Sequence, residues 1–215
     1  MTCMPKLRSR PNLILEVQHL NKKVYTMIQK KNGPLAGIRV LDFTSMISGP
    51  LTTMILADQD ADVIKIEAPG GDHTRAVSTR HNGVSAAFLN NNRNKRSVVL
   101  DLKSKQGINA LIKLAATCDV AVQNFRPGVA DRIGIGEAAL RQVRPDIIYM
   151  SISGFGNIGP YSQKPVYDPL IQSVSGLATV QAGSDEARPR LVRTIVPDKL
   201  TGFAAAQAIT AALFH

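Results

Sequence analysis

From Pro34 onward the chain alternates short Val/Ile-rich runs with stretches of helical periodicity, and no other feature constrains its fold as much. "GIRVLDF" (37–43), "ADVIKIE" (61–67), "SVVLDL" (97–102), "DVAVQNF" (119–125) and "DIIYMSISGF" (146–155) read as strands. "GPLTTMILADQ" (49–59) reads as a helix with Pro50 in its first turn. "SKQGINALIKLAATC" (104–118) reads as a second helix capped by Ser104, and a third falls around 137–143. Residues 68–96, rich in Gly, Asn and Arg, read as one long loop, and Asp168 is expected to cap a helix over 169–178. Strands that each lead into a helix imply an α/β fold: a Rossmann-like, doubly wound, mainly parallel sheet with helices on both faces. At 215 residues the chain suits one such domain or one and a half smaller ones.

Ligands of such sheets bind beyond the carboxyl ends of the strands. The informative segments are therefore "DFTSMISGP", "KIEAPGGDHTR", "LDLKS", "NFRPG" and "SGFGNIGP". A dinucleotide site needs G-x-G-x-x-G after the first strand, and "TSMISGP" lacks those glycines. There is no G-x-x-x-x-G-K-[ST] phosphate loop and no G-x-S-x-G nucleophile elbow. The four histidines, at 19, 73, 81 and 215, have no metal-ligand spacing, so no metal is expected. The residues by themselves lead to an α/β enzyme with several anion-friendly turns.

Composition narrows the class. Hydrophobic residues make up 44% and charged residues 20%, and no apolar run reaches the ~20 residues that span a bilayer. Cys3 and Cys118 are far apart and read as free thiols of a reducing, cytoplasmic compartment. The net charge is +10, yet residues 1–33 hold seven basic residues against Glu16 alone. Leu13, Val17, Leu20, Val24 and Met27 form a helical stripe there, so 1–33 is read as a basic amphipathic extension preceding a domain at 34–215. Such a helix could serve nucleic acid, an anionic membrane or organelle targeting. The narrow stripe favours packing on its own domain or a partner subunit, with neither nucleic acid nor membrane as partner.

"PLAGIRVLDFTSMISGP", "ADVIKIEAPGGDHTR", "NNRNKRSVVLDLKSKQG", "DVAVQNFRPGVADRIGIG" and "SISGFGNIGP" together resemble the formyl-CoA transferase type of coenzyme A transferases, also called family III CoA transferases. The resemblance runs from about Pro34 to Leu213 and places the motifs in the family's order. It implies no prosthetic group, with coenzyme A or acyl-CoA and a carboxylic acid as substrates. The implied coenzyme A contacts are Met46, Ile47 and Ser48, Ala68, Leu100, Asp101, Leu102 and Lys103. Asn124, Phe125, Arg126, Arg132, Pro165, Val166 and Tyr167 complete them. Phosphates want Lys, Arg and backbone N–H donors, and adenine wants a flat surface such as Phe125 or Tyr167. Taken singly, these residues read as solvated charges, core aromatics and turn formers.

By the same resemblance Asp198, in "IVPDKLTGF", is the nucleophile, forming an aspartyl-acyl anhydride and then an aspartyl-CoA thioester. Residues alone place it at the start of a helix, where an aspartate also makes a cap, and helix N–H groups with Lys199 favour its ionised form. The family's racemase branch carries a histidine where this chain has Tyr167, a poor base at neutral pH, which disfavours racemization. Two positions depart from the pattern: Asp60 replaces a common glycine, and Ser48 a common alanine. Family members also continue into a second, small domain, and their two subunits interlock. Two expectations therefore stand side by side: a CoA transferase, acting as a homodimer or with a complementary C-terminal polypeptide, and a non-catalytic CoA-binding fragment or half of a split enzyme.

Overall fold

The computed structural model describes residues 32–77 and 79–215; the expected N-terminal helix lies outside them. Five strands, β1 (Arg39–Asp42), β2 (Asp62–Glu67), β5 (Arg96–Val99), β6 (Val120–Gln123) and β7 (Ile148–Ser151), form one sheet in the order β5-β2-β1-β6-β7. Every neighbouring pair is parallel, with Val40 opposite Val63 on one side and Val120 on the other. Strand order reverses between β1 and β6, and that switch point is where doubly wound sheets hold ligands.

Alternation along the strands sorts side chains into two cores. Val40, Val63, Val120 and Val122 face helices α1 (Ser48–Asp58) and α8 (Val196–Phe214), packing with Leu56, Ala205, Ala206 and Ile209. Leu41, Ile64, Ile66 and Ala121 face α3 (Lys105–Ala115) and α5 (Glu137–Arg141), meeting Leu111, Ala115 and Leu140. Leu41, Leu56, Leu111 and Leu140 are wholly excluded from water. Each such burial stabilises by about 1.5–3 kcal/mol relative to exposure.

The long loop expected over 68–96 is instead structured. It holds a 3-10 turn (His73–Ala76), a hairpin of β3 (Arg80–His81) and β4 (Val84–Ser85), and helix α2 (Ala86–Asn92). Asn82 and Gly83, both at positive φ, make the hairpin turn, a signal that the Asn/Gly-rich composition obscured. Ser85 caps α2 by accepting from the Phe88 N–H. Ser104 caps α3 as expected, accepting from the Gly107 N–H. The helix expected over 169–178 is two pieces, α6 (Asp168–Val174) and α7 (Leu177–Val180), because Gly176 at φ 82° turns the chain between them. Helix α4 (Val129–Arg132) is a single turn. Among the described residues no helix is long and apolar enough to cross a membrane.

Candidate active site

The turn after β1 is built on buried charge. The Asp42 carboxylate accepts from the Thr44 N–H and hydroxyl on one oxygen, and from the Thr53 hydroxyl and Lys95 Nζ on the other. Burial would raise its pKa, but Lys95, Lys65 and the two threonine hydroxyls outweigh this and hold it below the ordinary value. Lys95 also donates to the Pro50 carbonyl and to Asn92 Oδ1, and burial lowers its ammonium to about 8 despite the pull of Asp42. Lys65 donates to the Thr44 carbonyl at 2.9 Å and pairs with Asp72. Asn124, at the end of β6, accepts from the Ser45 N–H and donates to the Ser45 carbonyl, tying the two switch-point turns together. A Cβ on Gly49 would stand 2.4 Å from that of Thr44, so only glycine lets the turn enter α1.

Above this base a cleft of about 320 Å³ opens at the switch point. Asp198 reaches it from α8, Met46 and Ser48 from the first turn, and Arg126 and Phe125 from the turn after β6. Lys164 and Tyr167 border it from the loop before α6. Asp198 is the third residue of α8; Ile195 occupies the cap position, and no side chain caps that helix locally. The expected capping role of the Asp198 carboxylate is therefore corrected. Its own N–H instead donates to Asp168 Oδ2 at 3.1 Å. Asp168 likewise does not cap its own helix, whose cap position is Tyr167; its other oxygen accepts from Gln172 Nε2 at 2.6 Å. The reach of Asp168 across 30 residues to α8 is what local sequence could not show.

The surroundings of Asp198 act against the bias toward ionisation expected from the helix N-terminus and Lys199. Burial, then the nearby Asp168 charge, raise its pKa above 3.8, against the neighbouring Ser48 hydroxyl, which lowers it. Lys199 is exposed and does not appear among the groups that set this balance.

The remaining expected contacts spread along the same sheet edge. Met46, Ser48, Asn124, Phe125, Arg126, Pro165, Val166, Tyr167 and Asp198 line the cleft, with Ile47 between two of them. Ala68 follows β2 and Leu100, Asp101, Leu102 and Lys103 follow β5, farther along the carboxyl ends of the sheet. Leu100 and Leu102 pack on the core, and Asp101 accepts from the Lys103 N–H in a tight turn before α3. Arg132 ends α4 and is exposed. The Phe125 ring stacks on Phe43, with centroids 6.1 Å apart. Lys164, Ile171 and Thr201 also stand in the cleft wall, marked by no motif in the sequence. Thr201 was within reach, because three residues after Asp198 is the same helix face. Cys118 is buried and its thiol is pushed up to about 11, chiefly by that burial.

Fold and cleft define a doubly wound α/β protein that presents two acids, Asp168 and Asp198, among basic and aromatic residues at its switch point. The profile of the family described as CoA-transferase family III matches residues 35–215, and the chain belongs to that family. It is 38% identical to a probable fatty acyl-CoA transferase of Mycobacterium tuberculosis over 85% of this chain and 47% of that protein. It is 41% identical to the human succinyl-CoA:glutarate CoA-transferase over 85% of this chain and 42% of the other. A formyl-CoA:oxalate CoA-transferase of Afipia carboxidovorans is 42% identical over 84% and 43%. Among solved structures, a CAIB/BAIF family protein of Brucella suis superposes with TM-score 0.80 at 34% identity, covering 85% of this chain and 50% of that one. The chain thus spans about half the length of the relatives it matches.

Proposed function

We propose that residues 34–215 form a coenzyme A-binding domain whose Asp198 exchanges coenzyme A between carboxylic acids. The observation that carries this reading is the Asp198 carboxylate itself, presented in the switch-point cleft beside Ser48. An Asp198 oxygen attacks the thioester carbonyl carbon, the C–S bond breaks, and coenzyme A leaves as thiolate, giving a mixed anhydride. The thiolate then attacks the aspartyl carbonyl carbon and releases the donor acid as carboxylate. The acceptor carboxylate attacks the resulting aspartyl thioester and expels thiolate. Thiolate attack on the acceptor's acyl carbon returns Asp198 and yields the new acyl-CoA. No proton is required at any step. A raised pKa makes Asp198 a more basic, more nucleophilic carboxylate once ionised.

Arg126, Lys164, Lys103 and Arg132 supply cations for the phosphates of coenzyme A, and backbone N–H groups of the turns add donors. Tyr167, 69% exposed, offers a free ring to the adenine. The same contacts extend over Met46, Ile47, Ala68, Leu100, Asp101 and Leu102, and over Asn124, Phe125, Pro165 and Val166. The test is transfer itself: the chain is incubated with an acyl-CoA and an isotopically labelled acid, and labelled acyl-CoA is measured. Label in the thioester with the native chain and none with Asp198→Ala is expected. Equal transfer by both proteins would defeat the assignment.

A further inference from the structure

Gln172 is 2% exposed, and its amide is committed on both sides. Its Oε1 accepts from the Val192 N–H at 2.8 Å. Its Nε2 donates to Asp168 Oδ1 at 2.6 Å and to the Thr194 carbonyl at 3.1 Å. Asp168, 4% exposed, passes the connection on, with Oδ2 accepting from the Asp198 N–H at 3.1 Å. That N–H is in the first turn of α8, where no helix carbonyl reaches it.

The series has only one workable direction. A backbone N–H can only donate, so Val192 fixes Oε1 toward itself and turns Nε2 toward Asp168. Asp168 must then accept at both ends, from Gln172 and from Asp198. A carboxylate does this with two oxygens; an asparagine of the same length has one. Leaving any of these buried groups unpaired carries its full desolvation cost.

We propose that Gln172 is a positioning residue: through the Asp168 carboxylate it fixes the first turn of α8 and so aims the Asp198 side chain into the cleft. The bonds to Val192 and Thr194 extend the same hold to the segment that enters α8. The aiming of Asp198 stands on geometry alone; only its consequence for acyl transfer rests on the proposed function.

The test is backbone amide hydrogen exchange of the full chain, native and Gln172→Leu. The Asp198 amide is expected to exchange about tenfold faster in the variant, the loss of roughly one hydrogen bond, while Ile209 in the helix interior keeps its protection. An Asp198 exchange rate within about twofold of native would overturn the proposal. Should Gln172→Leu fail to fold, Asp168→Asn is measured by the same exchange with the same two readings. The double variant Asp168→Glu with Gln172→Asn, which keeps one carboxylate and one amide, is expected to recover protection; a double variant no better than Gln172→Leu also counts against the proposal. Acylation by acyl-CoA gives a second readout: the maximal rate falls about tenfold in Gln172→Leu with the half-saturating concentration unchanged. A native chain that is never acylated removes the proposed function and leaves the exchange result to decide the clamp.

Discussion

Asp198 is held between opposing influences at the scale of single residues. Burial and the Asp168 charge make it harder to ionise, while the Ser48 hydroxyl stabilises the ionised form. Removing Ser48 takes away the influence that lowers the pKa, so Ser48→Ala is expected to raise the Asp198 midpoint further. Carbon-13 NMR titration of the aspartate carboxyls measures this directly, and an unchanged midpoint would mean the hydroxyl does not engage the acid. Under the proposed function the same variant is expected to lose acyl transfer at a higher pH on the acid side, because Asp198 would have to be ionised to attack. Asp198 and Ser48 were both legible in the sequence through the family's motifs. The direction of the pKa shift was not, because Asp168 lies 30 residues away and is brought near by packing. Asp60 was a visible departure from a common glycine, and its φ of 72° gives the reason: the backbone there is left-handed, where glycine is unstrained and aspartate is tolerated.

Helices α1 and α8 are the elements that bring the site together, and their approach depends on Gly202. A Cβ there would fall 2.9–3.1 Å from side-chain atoms of Leu51, and the Thr52 hydroxyl donates to the Gly202 carbonyl at 3.2 Å. Gly202→Ala is therefore expected to destabilise the fold by about 1–3 kcal/mol, seen as a lower thermal midpoint. Adding Leu51→Ala should return part of that loss, because the two positions share one space. Independent, additive losses would show that the helices do not meet there. Strands and long helices were readable because Val/Ile runs and 3.6-residue periodicity persist over enough positions. Helix α2 was not: it is short, its last three residues are asparagines, which are weak helix formers, and its form is set by the Ser85 cap and by Asn91 and Asn92 bonding back to the carbonyls of Ala87 and Phe88. The break at Gly176 was hidden for the opposite reason, since one glycine inside a periodic stretch reads as tolerable.

Over the whole molecule, sheet order decides where chemistry can occur, and a scaffold of buried charge secures the turns beneath it. Beside Asp42, Lys65, Lys95 and Asp72 stands Glu67 at the end of β2. Burial would raise the Glu67 pKa, but Arg75, Ser97 and the Asp72 N–H together bring it from 4.5 to about 2. A depressed acid stabilises the fold fully above its unfolded value and loses that contribution as pH falls from about 4.5 toward 2. Allowing for the partly exposed Arg75 side chain, the contribution is about 2 kcal/mol. Glu67→Gln is expected to lower stability near neutral pH and to flatten its decline in that acid window, measured by urea unfolding across pH; an acid limb as steep as the native one would assign the loss to other groups. The parallel α/β architecture was legible from the order of strand and helix runs. The buried charge scaffold was not, since no local pattern marks Lys65 and Lys95 for burial before the turns close over them.

The central proposal is that Asp198 acts as a covalent nucleophile. Its most direct test is to incubate the chain with an acyl-CoA, quench with acid, and locate any added mass by intact and peptide mass spectrometry. The account predicts an acyl or coenzyme A adduct on Asp198 that is lost in Asp198→Ala. An adduct that persists in that variant, or a native chain that binds coenzyme A yet never gains mass, would contradict it.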